Sequence, residues 1–415
     1  MCFISLNNHT DTSAFPPLVN RWTEFDPLEE IVVGRADGGC FPPHEPACQA
    51  EFQDQYTPQG PTMSHPFSEY IPWPTGPKLQ RTIDAANEQM DGLQEVLEGE
   101  GVVVRRPDAA RCNFNVFTKT PDFKCVNQYG AGCPRDLMIT VGNEILEAPM
   151  SKRSRFFEYR PYRKLCRYYF DNDPRMVWSC APKPLMEDAS YNAGFWELSD
   201  EQRIAQRYEY KYCCNENEIF FDAADILVIG DVIFVQHSMT TNLTAIRWLK
   251  RHFEPKGFTV RTLHFPYDLY PAHIDATFVC LRPGLMLTNP DRPVVREEAQ
   301  IFKQNDWRMV DVPMWSAKEE HPILCQSTRW LSMNVLSVTS DKIIIEDGED
   351  ATKRFFEEDL GYDVIGVPYR KVFEFGGSLH CSTWDVRRSG SKRSFFSETL
   401  GCEEDIGMTS LTSLP

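Results

Sequence analysis

Ile226-Leu227-Val228-Ile229-Gly230-Asp231-Val232-Ile233-Phe234-Val235 is the stretch that decides the fold. Two apolar, mostly β-branched runs flank a Gly-Asp pair, the pattern of two strands joined by a tight hairpin turn. Downstream, 241–253 carries apolar residues at helical spacing, and 258–264 reads as one more short strand. The same order recurs. Strands are expected at 137–141 and 144–146 around Gly142-Asn143, at 277–281 and 285–288 around Pro283-Gly284, and at 335–338 and 343–345 around Ser340-Asp341. Amphipathic helices are expected at 294–305 and 351–360. Leu79, Ile83, Ala86, Met90, Leu93 and Leu97 form one further helical stripe. Short third strands are expected at 102–106, 308–312 and 362–367. A strand–strand–helix–strand unit cannot bury its own face, so copies must stack on one another. The reading is a single α/β domain of such modules around an axis, with 147–221 as an insertion plus a degenerate module. Two unrelated α/β domains are the alternative.

The chain of 415 residues is 42% hydrophobic and 25% charged, the balance of a globular protein with a large core. Asp plus Glu number 60 against 43 Lys plus Arg, a formal net charge of −17. That excess speaks against nucleic acid and against anionic membrane as partners, since both reward basic patches. The most apolar window, 224–235, is interrupted by Asp225 and Gly230-Asp231 and is too short to span a bilayer. The first 20 residues hold Asp11 and no Lys or Arg, unlike secretory or mitochondrial leaders, so a cytoplasmic location is expected. The Pro- and Gly-rich stretch 34–77 reads as a long surface connection. The polar end after about Cys402 reads as a loose tail. Fourteen cysteines show no CxxC pair and no export signal, so most are expected to be small buried hydrophobes rather than disulfides.

Polar residues lead into each hairpin: Cys133-Pro134-Arg135-Asp136, Phe221-Asp222-Ala223-Ala224-Asp225, His273-Ile274-Asp275 and Ser327-Thr328-Arg329-Trp330. Equivalent strand ends in a modular array converge, so these residues suggest one central polar site. His273 and Asp275 would share a face if that segment were extended. Phe375-Gly376-Gly377-Ser378-Leu379-His380-Cys381 offers the best nucleophile setting among the cysteines, with glycines that permit close backbone approach. Each residue taken alone is more often structural than catalytic, and the coincidence across modules is the signal. The nine histidines make no metal-binding spacing, and neither a Walker loop nor a dinucleotide fingerprint is present, so no metal or cofactor is expected.

Several segments resemble the arginine:glycine amidinotransferase family, in order along the chain. They are Cys-Pro-Arg-Asp at 133–136, Val-Gly-Asn-Glu-Ile-Leu-Glu-Ala-Pro at 141–149, Arg-Ser-Arg-Phe-Phe-Glu-Tyr-Arg at 153–160 and Phe-Asp-Ala-Ala-Asp at 221–225. His-Ile-Asp-Ala-Thr-Phe at 273–278, Asn-Pro-Asp-Arg-Pro at 289–293, Ser-Met-Asn-Val-Leu at 332–336 and Gly-Gly-Ser-Leu-His-Cys at 376–381 complete the set. Within the family the chain is most similar to members from cyanobacterial toxin pathways, those of cylindrospermopsin and saxitoxin synthesis.

The resemblance implies the pentein α/β-propeller, five ββαβ modules around a pseudo-fivefold axis, spanning 22–390 between an extension at 1–21 and a tail at 391–415. It implies Cys381 as nucleophile, His273 as general acid and base, and Asp222 as its partner carboxylate. Asp136 would grip the guanidinium, while Asp275, Arg292, Ser327 and Thr328 would hold the amino and carboxylate groups of L-arginine. The amidino group would pass through a covalent amidino-cysteine to an amine acceptor, releasing L-ornithine, with ping-pong kinetics. A homodimer is compatible with this. Water as acceptor would instead give the hydrolysis seen in the related arginine deiminases. Many glycine-using relatives carry Met before the catalytic His and Asn two residues earlier. Here Ala272 and Tyr270 stand there, which permits a longer amine.

Overall fold

A computed structural model of the chain describes residues 16–48, 76–199, 201–202, 205, 211–265, 273–313 and 329–397. Five three-stranded sheets of one topology organise it. In each, two antiparallel strands are followed by a helical segment and a third strand parallel to the second. The second sheet is the stretch quoted first: Ile226–Ile229 pairs with Val232–Gln236 around Gly230, and Thr259–Leu263 lies parallel to the latter. Gly230 has φ of +67°, and a Cβ there would lie 2.0 Å from the carbonyl of Arg393, so the turn tolerates no side chain. Between them runs the helix Leu243–Phe253. Asn242 caps it by accepting from the Ala245 N–H, and Ala245, Ile246, Leu249 and Phe253 form its buried stripe.

The third sheet comprises Phe278–Arg282, Leu285–Thr288 and Arg308–Asp311. Leu336–Ser337, Lys342–Glu346 and Asp363–Val367 form the fourth. The expected helix at 294–305 is reduced to Gln300–Gln304, which follows turns at 296–299.

Two sequence expectations change. The first sheet takes Met138–Val141, Glu144–Glu147 and, as its third strand, Val177–Cys180, with the helix Arg163–Asn172 between. The front of 147–221 is therefore a regular module rather than a degenerate one. The helix Gln80–Gly99 and strand Val103–Arg105 belong elsewhere. They complete a closing sheet in which Leu28–Val33 is parallel to Val103–Arg105 and antiparallel to Thr383–Arg388. The two ends of the chain thus share one module. In Gln80–Gly99 the stripe Ile83, Ala86, Met90, Leu93 and Leu97 is buried as expected, but Leu79 precedes the helix and is 58% exposed.

Aliphatic strand residues fill the cores between sheets. Arg21 and Phe396, on either side of the expected 22–390 domain, are both buried, and Phe396 stacks on Trp307. The described cysteines form no disulfide with one another, and all but Cys180 are buried. Among the described residues no helix is long and apolar enough to cross a membrane.

Candidate active site

The segments leading into the sheets meet one another. The short helix Pro134–Leu137 touches the turn Ala223–Asp225, which touches the turn Ile274–Ala276, which touches Arg329–Met333. Asn334 then accepts from the backbone of the 376–382 loop, and the Arg135 N–H returns to the Cys381 carbonyl. The convergence expected from the modular pattern is realised, and it carries the titratable residues with it.

Cys381 sits where that loop folds back on itself. Gly376, at φ of +94°, ends the 3₁₀ turn Arg370–Phe375. A Cβ on Gly377 would lie 2.2 Å from the Cys381 Cβ and 2.9 Å from its Sγ, so only glycine lets the loop close over the thiol. Asn334 Oδ1 accepts from the backbone N–H of both His380 and Cys381, each at 3.0 Å, and pins the nucleophile loop. The Cys381 thiol donates to Asp275 Oδ2 at 3.3 Å. Burial pushes this thiol well above its ordinary value, and the Asp275 and Asp136 carboxylates push the same way.

His273 has φ of +59°, a left-handed conformation that costs a non-glycine residue energy and clusters at functional sites. Its Nε2 meets Asp222 Oδ2 at 3.1 Å and its Nδ1 lies 3.6 Å from Asp136 Oδ1. Burial works against the charged ring, but Asp136, Asp222 and Asp225 outweigh it and hold His273 up to about 10. His273 is therefore an imidazolium near neutrality. Asp222 is fully buried. Burial would raise its pKa, but the hydrogen bond and charge of His273, with Arg155 and Lys152, keep it below the usual carboxylate range. Ser151 donates to it through its N–H at 3.3 Å.

Asp136 accepts from Arg155 Nη1 at 2.6 Å through Oδ2, while its Oδ1 has no hydrogen-bond partner among the described residues. Asp275 is alike: Oδ2 serves Cys381 and His380, and Oδ1 is open. Burial again opposes its ionisation, and His380 overcomes this to lower its pKa. Two buried carboxylate oxygens thus have no hydrogen bond among the described residues, although Asp136 Oδ1 lies 3.6 Å from His273 Nδ1, and an incoming donor could satisfy both.

His273 and Asp275 do not share an extended face. A 3₁₀ turn, Ile274–Ala276, separates them and sends one side chain to Asp222 and the other to the sulfur. Asp275, which the family resemblance placed at the amino-acid end of the substrate, lies against Cys381 here. Arg292 is buried on the turn after Leu285–Thr288 and donates to Thr277 Oγ1 at 3.4 Å, and Thr277 in turn donates to the His273 carbonyl. Tyr270, Ala272, Ser327 and Thr328 lie outside the described residues. Arg155, Asn334 and His380 were not singled out for a role by sequence, although each lies inside a motif that carries the resemblance.

These features define a mixed α/β protein with a buried thiol, an imidazolium and open carboxylate oxygens in one place. No family model matches the chain. It is 38% identical to the mitochondrial glycine amidinotransferase of Gallus gallus over 378 residues, 91% of this chain and 85% of that one. It is 35% identical to the L-arginine:L-lysine amidinotransferase of Pseudomonas savastanoi pv. phaseolicola over 380 residues, 91% and 96% of the two chains. Among solved structures it resembles SxtG, an amidinotransferase from Microseira wollei in the saxitoxin biosynthetic pathway. The TM-score is 0.77 at 30% identity, covering 91% of this chain and all of that one. The chain belongs to the amidinotransferase family.

Proposed function

We propose that the chain transfers the amidino group of L-arginine to a primary amine, with Cys381 as its covalent carrier. The observation that carries this is the pair of open, buried oxygens, Asp136 Oδ1 and Asp275 Oδ1, beside a thiol. A guanidinium is planar and cationic, with N–H groups in a fixed fork, and it complements two carboxylates better than any other common side-chain cation. Its bound charge offsets the carboxylates that hold the Cys381 thiol protonated and so favours the thiolate.

The thiolate attacks the guanidinium carbon, giving a tetrahedral intermediate. His273, already protonated, donates its proton to the departing nitrogen as the C–N bond breaks. Ornithine leaves and the amidino group stays on sulfur. The acceptor amine then attacks, the neutral His273 takes its proton, and the C–S bond breaks to restore the thiolate. Asp222 orients His273 and keeps the ring available as an acid. Arg292 supports the amino-acid end of arginine together with Ser327 and Thr328.

The closed chain of contacts among the segments leading into the sheets supports a pseudo-fivefold propeller of pentein type, with 22–390 as one catalytic domain. The relatives differ in acceptor: the name of one gives glycine, that of another lysine. With Ala272 and Tyr270 where glycine-using relatives have Met and Asn, we propose that this chain serves glycine or a longer amine of a natural-product pathway. Isotope-labelled arginine supplied alone should give about one equivalent of ornithine per Cys381 and a trapped amidino adduct on the peptide that contains it. Turnover should then require an added amine. Release of citrulline, or an adduct on another cysteine, overturns the reading.

A further inference from the structure

His380, next to the thiol in the chain, takes no part in the steps above. Its Nδ1 is 2.9 Å from Asp275 Oδ2, and its Nε2 is 3.5 Å from Glu24 Oε2. A neutral imidazole has one N–H, so carboxylates on both nitrogens call for the doubly protonated ring. Glu24 is itself held, by an ion pair with Arg21 and by the Val228 N–H at 3.4 Å. The backbone on either side is fixed as well: Asn334 Oδ1 takes the His380 N–H, and Arg135 Nε donates to the His380 carbonyl at 3.4 Å. A small cavity beside the ring is lined mainly by apolar side chains, with Cys280 and Ser337 its further polar groups.

We propose that His380 is a positioning residue for Cys381: as an imidazolium clamped between Asp275 and Glu24, it aims Asp275 at the sulfur and offsets that carboxylate's charge. The two imidazoliums then serve different carboxylates, His273 engaging Asp222 and Asp136 while His380 engages Asp275 and Glu24. The thiol faces burial, Asp275 and Asp136, and the other fixed cation near Asp275, Arg135, is already paired with Asp385. Around His380, burial and Arg135 disfavour the charged ring, and the hydrogen bond to Asp275 with the nearby Glu24 carboxylate outweighs them. Cys133 and Asp136 complete the groups acting on the thiol from the neighbouring helix. The short distance between His380 and Cys381 along the chain makes the coupling rigid, since one Asn334 oxygen fixes both backbones.

The proposal rests on Cys381 being the nucleophile, so its main readout needs no turnover. His380→Asn keeps a donor near the Nδ1 position and removes the charge. The rate of Cys381 alkylation by iodoacetamide, followed by mass spectrometry across pH without arginine, should shift upward by about one pH unit. That is a tenfold smaller thiolate fraction at a given pH. The ornithine burst should slow about tenfold, with the arginine KM changed less than about twofold. In the wild-type protein, nitrogen NMR of labelled histidine should show both His380 ring nitrogens protonated near neutral pH, a measurement that stands even if the variant folds poorly. An unshifted alkylation profile in a folded variant, or a neutral His380 ring at neutral pH, overturns the proposal. A shifted profile with no arginine adduct on wild-type Cys381 supports it and sinks the nucleophile reading instead.

Discussion

At the scale of single residues, Phe-Asp-Ala-Ala-Asp at 221–225 shows what a sequence can and cannot say. Both aspartates are fully buried, and their chemistry diverges. Asp222 takes His273, while Asp225 Oδ2 accepts from the hydroxyls of Ser238 at 2.6 Å and Thr240 at 2.9 Å. Burial pushes Asp225 up to about 6 despite those donors. Spacing alone could not assign these roles, because the 3₁₀ turn Ala223–Asp225 between them sets which carboxylate points inward. The same holds at His273, whose positive φ no propensity for histidine foretells. Its charge makes a test. With a folded-state value near 10 against an ordinary 6.5, the ring contributes stability that is fully present below about 6.5 and lost as pH rises through about 10. The gap in urea midpoint between wild type and His273→Asn should therefore narrow steadily from neutral pH to pH 10. In the same variant arginine–ornithine exchange should fall on the order of 10²–10⁴-fold. A constant gap would mean that His273 is neutral in the folded protein.

At the scale of elements, the readable features were those whose signal is local. Each hairpin pairs residues a few positions apart across a turn marked by Gly, Asn or Asp, and each was found within a residue or two. The helix Gln80–Gly99 was readable because five successive apolar positions hold its period. Its partner sheet was not, since nothing in the helix says which strands it covers. Glycines expose the difference between local and tertiary demands. Gly92, inside that helix, has nothing within 4 Å of a would-be Cβ, so Gly92→Ala should raise stability by about 1 kcal/mol and leave turnover unchanged. Gly377→Ala should do the opposite. The new methyl collides with Cys381 itself, and a loop shift approaching 1 Å at a nucleophile costs on the order of 10²-fold in rate. Parallel denaturation curves and ornithine assays on the two variants check both. Normal turnover in Gly377→Ala would show that the loop can yield without moving the thiol.

At the scale of the whole molecule, the closing sheet is the part no local pattern could reveal. Leu28 pairs with Arg388 and Val33 with Thr383, joining opposite ends of the chain. Such a pairing gives no turn signal, and its entropic cost is recovered only once the other sheets stand beside it. The strand Thr383–Arg388 follows Cys381 by two residues, so closure and the nucleophile's placement are one event. Trp384 lies at the centre of this. It is fully buried, packs in the same core as Leu137, Val141 and Val228, and donates its indole N–H to Thr140 Oγ1 of the first sheet at 2.9 Å. Asp385, next to it, ties Arg135 to Arg388, which donates to the Ser337 carbonyl of the fourth sheet at 2.8 Å. Loss of the indole leaves a large cavity and strands a buried hydroxyl, so Trp384→Ala should cost about 3–5 kcal/mol. Because the two ends of the chain share one sheet, that loss should move the whole protein together. Guanidinium unfolding followed by circular dichroism and by the ornithine burst should give coincident curves, both displaced to lower denaturant. A burst lost well before the dichroism signal would mean that the closing sheet opens alone and that the other four sheets stand without it.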